Sequence, residues 1–170
     1  MFRRPAPLSA SHELADFNCG NVDLNSFLFD RALASQREGF SRTYVVADKQ
    51  LRVVGYYSVC SSMIGRGFVP RQIGGHGAPR DIPVILLARL AIDTLYQGQG
   101  LGAELLKHAM QMAVLSSETI GVRAVLVHAV DDAAERFYRK FNFRAAKGPD
   151  RILLRGLDDI AISMRTEQAD

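Results

Sequence analysis

The chain contains 170 residues, 48% of them hydrophobic and 23% charged, and we expect one domain with its own core over residues 1–170. Its formal net charge is +3. The sequence has no recognisable signal peptide and no apolar run near the ~20 residues that span a bilayer. Cys19 and Cys60 lack CxxC or Cys/His spacing, which argues against a disulfide scaffold and a metal site. We therefore expect a cytoplasmic protein without membrane contact.

The first part of the chain is predicted to place one helix before an antiparallel hairpin. Apolar residues at helical spacing predict a helix over residues 22–37, whose half-buried stripe includes Arg31. Alternating, β-branched residues predict the hairpin strands at 41–48 and 51–64. A short first strand is expected at 4–8.

A polar stretch over residues 65–83 follows the hairpin. It contains five glycines and three prolines, together with Arg66, Arg71, Arg80 and His76. Long irregular segments inside a domain are usually functional, so we expect a loop that faces the substrate. A solvated loop with incidental charge is the alternative.

An apolar run at 84–92, interrupted by Arg89, predicts a buried central strand. The glycine-rich turn 97–102 comes next and opens a helix over 100–115. The N–H groups of such a turn are unpaired and the helix dipole adds positive potential, which predicts a phosphate site. The Walker motif is absent, and the acidic residue of a dinucleotide fold is missing. A simple turn between two core elements is the alternative.

Strands and helices alternate in the second half, which predicts a mixed, partly parallel α/β sheet. Asp131 or Asp132 is the expected N-cap of the first helix there. The predicted elements are strands at 122–129, near Phe143 and at 151–155, and helices at 131–141 and 157–164.

Three motifs carry a family resemblance. Residues 97–102 have the form Q/R-x-x-G-x-G/A, the strand before them reads LARLAID, and AERFYRKFNF follows at 134–143. Together they resemble the GNAT family of acetyl-CoA-dependent N-acetyltransferases over nearly the whole chain. The resemblance implies the GNAT (acyl-CoA N-acyltransferase) fold, a mixed, partly parallel central sheet flanked by helices.

The resemblance also implies acetyl-CoA as cofactor and assigns residues to it. Main-chain groups of the central strand would bind the pantetheine arm, the turn would bind the pyrophosphate, and two helical residues would lie beside the cofactor. The strand residues are Leu90, Ala91 and Ile92. The turn residues are Gln97, Gly98, Gln99, Gly100, Leu101 and Gly102. The helical residues are Ala133 and Phe137.

Tyr138 is the catalytic residue that the resemblance implies. The reference pKa of its phenol is about 10, so it stays protonated at neutral pH and can donate a proton to the departing thiolate. The alternative is a core-edge tyrosine whose hydroxyl is hydrogen-bonded.

A narrower signature lies in the N-terminal part, where Phe17-x-Cys19-Gly20 and Leu24-Asn25 precede an alanine-rich helix. It resembles the GNAT toxins of bacterial toxin–antitoxin modules, which acetylate the α-amine of aminoacyl-tRNA. This implies an aminoacyl-tRNA substrate, a ribbon–helix–helix antitoxin, operator DNA contacted only through the antitoxin, and a homodimer. Phe17 and Cys19 are otherwise ordinary core residues, and we assign Cys19 no chemistry.

The central strand has no glutamate to act as a general base. Asp93 at its end either assists or caps the turn, and His128 is more easily explained as a core histidine. An α-amine has a reference pKa of about 7.7–8.0, against about 10.4 for lysine. The missing base therefore favours an aminoacyl ester over a side-chain amine.

Arginine far outnumbers lysine in this chain and is the better residue for forked phosphate contacts. Arg89 is the most informative, because a charge in an apolar strand must be paired or open onto a cleft. Codon bias is the alternative source of arginine. The candidates for RNA contact are Arg31, Arg37, Arg42, Arg66, Arg71, Arg80 and Arg89.

Two other functions compete with a toxin. One is a small-molecule or protein N-terminal N-acetyltransferase. The other is a non-catalytic acyl-CoA-binding module, which intact turn residues and Tyr138 argue against.

Overall fold

The computed structural model describes residues 1–170 and contains seven strands in one sheet. The strands are β1 (Ala6–Pro7), β2 (Arg42–Ala47), β3 (Val53–Gly65), β4 (Asp81–Ile92), β5 (Ala124–His128), β6 (Arg144–Ala145) and β7 (Ile152–Gly156). The helices are α1 (residues 22–37), α2 (Arg71–Gly74), α3 (Leu101–Ser117), α4 (Asp132–Lys140) and α5 (Leu157–Ala169). No helix is long and apolar enough to cross a membrane.

The strand order is β1-β2-β3-β4-β5-β7-β6. β4 and β5 are parallel and pair from Val84 with Ala124 to Leu87 with Val127. β2 with β3, β5 with β7 and β6 with β7 are antiparallel. This confirms the predicted mixed, partly parallel sheet and the predicted hairpin.

The chain divides into two compact units, each with a core of its own. The first comprises Met1–Cys60 and Ala88–Ala109, the second Ser61–Leu87 and Met110–Asp170. The first core gathers apolar residues of β2, β3 and α1 around Tyr56, which is fully buried. The second gathers residues of α2, β4, β5 and β7, with Ala124 and Leu154 fully buried.

Helix α1 has the predicted bounds but contains one wide turn. Phe27–Arg31 is π-helical between the α-helical segments Val22–Ser26 and Ala32–Arg37. The N–H of Ala32 therefore bonds the Phe27 carbonyl, so that Ala32 lies above Phe27 and Arg31 turns outward. The prediction of a half-buried Arg31 was wrong because it assumed 3.6 residues per turn.

The stretch 65–83 is more regular than predicted. A 3-10 turn at Arg66–Phe68 and helix α2 interrupt it, and β4 begins at Asp81. Burial of Val69 and Ile73 explains this order, since apolar anchors stabilise short helical turns that propensity alone does not. Helices α3 and α5 also extend beyond their predicted ends, where neither glycine nor proline marks a stop.

Gly55 allows β3 to approach the end of β4 closely. A Cβ built on Gly55 would lie 2.7 Å from Ile92 Cδ1 and 3.1 Å from Leu105 Cδ1. Gly55 itself is buried. The side chain of a central-strand residue therefore occupies the space that any larger residue would need.

We predict that Gly55→Ala lowers the free energy of unfolding by about 1–3 kcal/mol, because overpacking forces Ile92 or Leu105 from its position. Urea denaturation measures the change. Gly67→Ala is the matched control, since nothing lies within 4 Å of a Cβ at that position. Equal midpoints for the two variants would contradict the packing argument.

Candidate active site

The glycine-rich turn between β4 and α3 has the backbone conformation of an anion cradle. Gly98 and Gly100 have φ values of 77° and 84°, in the left-handed region that favours glycine. Residues 97–100 are exposed, whereas Leu101 is buried and anchors the start of α3. The first N–H groups of this 17-residue helix have no intrahelical acceptor. The turn therefore fits a pyrophosphate, and its binding role stays a prediction.

Asp93 closes the end of β4 as a structural carboxylate. Its Oδ1 accepts the N–H of Leu95 at 2.9 Å, and its Oδ2 accepts the N–H of Asn18 at 3.0 Å. The residue is 5% exposed. Both oxygens are thus committed to backbone donors, which supports the capping role among the two that the sequence left open.

Asn18 and Asn25 organise the segment that carries the narrower sequence signature. Asn18 Oδ1 accepts from Gly20 N and from Asn25 Nδ2, both at 2.9 Å. Asn25 Oδ1 accepts from Cys19 N at 2.9 Å and from Cys19 Sγ at 3.1 Å. The Asn18 carbonyl also accepts the Thr94 N–H at 2.9 Å. We call these bonds, with those of Asp93, the asparagine clasp.

Gln97 connects the glycine-rich turn to the same segment. Its Nε2 donates to the Ile92 carbonyl at 2.9 Å and to the Cys19 carbonyl at 3.2 Å. The Gln97 side chain therefore positions the turn. This explains why an amide fits the first position of the motif: it donates to two carbonyls at once.

The central-strand residues predicted to bind pantetheine lie at the end of β4. Leu90 and Ile92 are half-buried, and Ala91 is 6% exposed and packs in the first core. β4 continues through residues 88–92 beyond its pairing with β5, which ends at Leu87. The backbone assignment stays a prediction.

Arg89 is held by an aromatic ring. Its guanidinium carbon lies 3.7 Å from the ring centroid of Phe27, a cation–π contact. No carboxylate pairs with it. Phe27 begins the π turn of α1, and the Tyr56 hydroxyl donates to the Leu24 carbonyl of the same helix at 2.7 Å. The wide turn thus presents an aromatic face to β4.

Tyr138 lies in the second unit, on α4. It is 7% exposed and makes edge contacts with Phe137 and Phe143, at centroid distances of 5.2 and 5.6 Å. Burial raises the pKa of its phenol above the ordinary value. The hydroxyl makes no hydrogen bond within the protein and is not among the fully buried unsatisfied atoms. The catalytic role of Tyr138 stays a prediction.

A comparison of the sequence with protein families decides the relationship. The family model described as "Acetyltransferase (GNAT) domain" matches residues 40–145, more than half of the chain. The chain belongs to the GNAT acetyltransferase family.

Relatives of this GNAT chain include toxins. A tRNA-acetylating toxin of Mycobacterium tuberculosis is 38% identical over 142 residues, 84% of each chain. AtaT complexed with acetyl-methionyl-tRNAfMet has a TM-score of 0.90 at 29% identity, covering 96% of this chain and 99% of that one. A tyrosine-to-phenylalanine mutant of AtaT, bound to the C-terminus of the antitoxin AtaR and acetyl-CoA, has a TM-score of 0.82 at 28% identity, covering 96% and 98%.

The GNAT chain distributes its predicted RNA-contacting arginines over both units. Arg31, Arg37 and Arg42 are exposed in the first unit, where Arg89 is half-buried. Arg80, Arg66 and Arg71 are exposed in the second, and Arg66 Nη1 donates to the Ala78 carbonyl at 3.0 Å. Their contact with RNA stays a prediction.

Two histidines have different environments. His128 is exposed at the end of β5, so the expectation of a core histidine was wrong; the last residue of this strand does not follow the strand's burial pattern. His108 Nδ1 lies 2.7 Å from the Tyr57 hydroxyl, and burial lowers its pKa.

Asp131, one of the two predicted N-caps, caps α4 by accepting the Ala134 N–H at 2.8 Å. Of the two cofactor candidates on α4, Ala133 is exposed and Phe137 is half-buried.

Sequence reasoning missed Asn18 and Asn25 as organising residues of the site. Three asparagines fall within residues 18–25, namely Asn18, Asn21 and Asn25. That density was the available signal, because asparagine favours local side-chain to backbone bonds.

We predict that Asn25→Asp lowers the free energy of unfolding by about 1–3 kcal/mol and weakens coenzyme A binding. The new carboxylate keeps the acceptor for Cys19 but sets an oxygen against Asn18 Oδ1 in place of a donor. Urea denaturation and isothermal titration with coenzyme A measure the two effects.

Asn21→Asp is the matched control for that variant. Asn21 Oδ1 only accepts the Leu24 N–H, at 3.1 Å, and aspartate caps a helix as well as asparagine does. If both variants behave alike, the clasp does not depend on the Asn25 donor.

Proposed function

We propose that this protein is an acetyl-CoA-dependent N-acetyltransferase toxin that acetylates the α-amine of aminoacyl-tRNA and so inhibits translation. The observation that carries the proposal is the 38% identity to a tRNA-acetylating toxin over 84% of the chain. The likeness to AtaT, seen with acetyl-methionyl-tRNAfMet, supports the same substrate class. We further propose that residues 1–170 act as a single acetyltransferase domain.

Acetyl-CoA supplies the acetyl thioester when bound. The N–H groups at the start of α3, with Gly98, Gln99, Gly100 and Gly102, hold its pyrophosphate. The backbone of Leu90, Ala91 and Ile92 holds the pantetheine arm and directs an N–H at the thioester oxygen. Such positioning and charge stabilisation are the main terms in acyl transfer. The left-handed, exposed glycines support this assignment.

Tyr138 acts as the general acid. Attack of the amine nitrogen on the acetyl carbon would break the carbon–sulfur bond. Tyr138 would donate its phenol proton to the departing thiolate and would then regain a proton from water. An unbonded hydroxyl and a raised pKa suit that role, because the phenol has no competing partner and keeps its proton at neutral pH. In the relative AtaT, too, a tyrosine has been replaced by phenylalanine.

The Asp93 carboxylate at the end of β4 is not free to act as a base. Both Asp93 oxygens accept backbone N–H groups. The α-amine of an aminoacyl ester needs little help, because its pKa lies below the reference of about 7.7–8.0. We propose that the amine reaches the site largely neutral and that water takes its surplus proton.

Partners follow from the same relatives. We propose that an antitoxin neutralises this protein, as the C-terminus of AtaR binds AtaT, and that the antitoxin is a ribbon–helix–helix protein. The AtaT–AtaR complex binds DNA, and we propose operator contact here only through the antitoxin. We also propose that the protein is a homodimer. We propose that it acts in the cytoplasm, since charged tRNA is found there.

We predict that Tyr138→Phe lowers kcat about 10²- to 10⁴-fold with acetyl-CoA binding retained, because only the proton donor is lost. The assay follows radiolabelled acetyl-CoA into charged tRNA, deacylated tRNA, free amino acids and polyamines. Tyr44→Phe removes a phenol elsewhere and serves as control. Label in a free amine would refute the tRNA substrate; label in no acceptor, with acetyl-CoA still bound, would favour a binding module.

We predict that kcat/KM rises with pH through the pKa of the substrate amine and then levels off without falling up to about pH 9.5. The raised pKa of Tyr138 keeps the phenol protonated over this range. Initial rates with two aminoacyl esters of different amine pKa provide the measurement. A rising limb that stays fixed between the two esters would indicate an enzyme base instead.

A further inference from the structure

A cavity of about 650 Å³ in the second unit is rich in arginine. Its charged lining residues lie on the last turn of α4, on β6, on β7 and on the first turn of α5, and one more lies directly before β5. They are Arg123, Arg139, Arg144, Arg155, Asp158 and Asp159. We call this cavity the arginine basin.

Two of the four arginines are already engaged. Arg155 is 6% exposed, and its Nε donates to Asp159 at 2.7 Å and its Nη2 to Ser163 at 2.9 Å. Arg139 donates to Glu135 at 2.8 Å. The Arg155 guanidinium is buried and ties β7 to α5, whereas Arg139 makes a half-exposed ion pair within α4.

The other two arginines keep their charge available. Arg123 Nε donates to the Ile73 carbonyl at 2.6 Å, which fixes the guanidinium. Its nearest acid is Asp158 at 3.9 Å, and the Asp158 side chain is 89% exposed. Arg144 is exposed on β6 and has no ion pair. The basin therefore presents one fixed and one adjustable guanidinium.

The lining favours a phosphate ligand over a peptide. Its large apolar members, Ile73 and Phe143, are 7% and 3% exposed, so they offer no anchor of the kind that peptide interfaces use. Guanidinium forks match phosphate oxygens. Phosphates spaced along a nucleic acid backbone would engage Arg123 and Arg144 without an apolar contact.

We infer that the arginine basin binds backbone phosphates of the tRNA substrate through Arg123 and Arg144. This inference rests on the proposed function and adds a contact surface that the sequence candidates did not include. Asp158 opposes binding there, because its carboxylate lies beside Arg123 and repels phosphate.

The test uses charge variants of opposite expected sign in the full chain. Arg144→Glu should weaken binding of fluorescent deacylated tRNA about five- to tenfold in about 0.1 M salt and flatten the salt dependence, since one phosphate contact is lost. Asp158→Asn should tighten binding. Arg165→Glu, an equal change on the exposed face of α5 outside the basin, is the control.

Steady-state acetylation separates a binding role from a catalytic one. Arg144→Glu should raise KM for charged tRNA and leave the rate on an aminoacylated CCA trinucleotide unchanged, because that substrate lacks the tRNA body. Circular dichroism verifies that each variant is folded.

Three results would overturn the inference. The first is that Arg144→Glu binds tRNA as tightly as Arg165→Glu does, and the second is that Asp158→Asn weakens tRNA binding. The third is that Arg144→Glu no longer binds the antitoxin but still binds tRNA. The last would assign the basin to a protein ligand. Failure of the proposed function looks different, because wild-type protein would then acetylate no charged tRNA, whatever the basin variants bind.

Discussion

The asparagine clasp is the constraint on which the cofactor side of this protein depends. A glycine-rich turn binds an anion only if its N–H groups are fixed in advance, and local propensity does not fix them. Here the Asp93 carboxylate and the Asn18 carbonyl tie the end of β4 to a segment 75 residues earlier in the chain. Gln97 extends that tie to the turn itself. The start of the chain therefore determines the geometry of a motif in its middle.

The proposed chemistry likewise depends on few side chains. The Asp93 carboxylate at the end of β4 accepts two backbone N–H groups, and the phenol of Tyr138 is a group that gives a proton more readily than it takes one. The reaction that we propose matches these properties, because its amine arrives neutral and its leaving group needs protonation. In that proposal, selectivity for aminoacyl esters over lysine-like amines follows from the substrate's own acidity.

Periodic patterns and glycine spacing predicted the four longer helices, the hairpin and the turn at 97–102, because those signals are local. The alternation of strands and helices predicted a partly parallel sheet. The clasp was beyond prediction, since its bonds join residues far apart in sequence. The π turn at Phe27–Arg31 departs from the period that the prediction assumes, which misplaced Arg31. The exposure of His128 and the position of the arginine basin depend on where strands end and which side chains meet there. No short stretch of sequence contains that information.

The contact between Arg89 and Phe27 has a consequence for electroneutrality. An arginine paired with a carboxylate is fixed but neutralised, and an incoming anion must first separate the pair. An arginine resting on an aromatic ring is fixed while its charge stays uncompensated. An anion that reaches Arg89 therefore has no ion pair to separate, and the strand that carries it keeps a stationary positive charge without a counter-ion of its own.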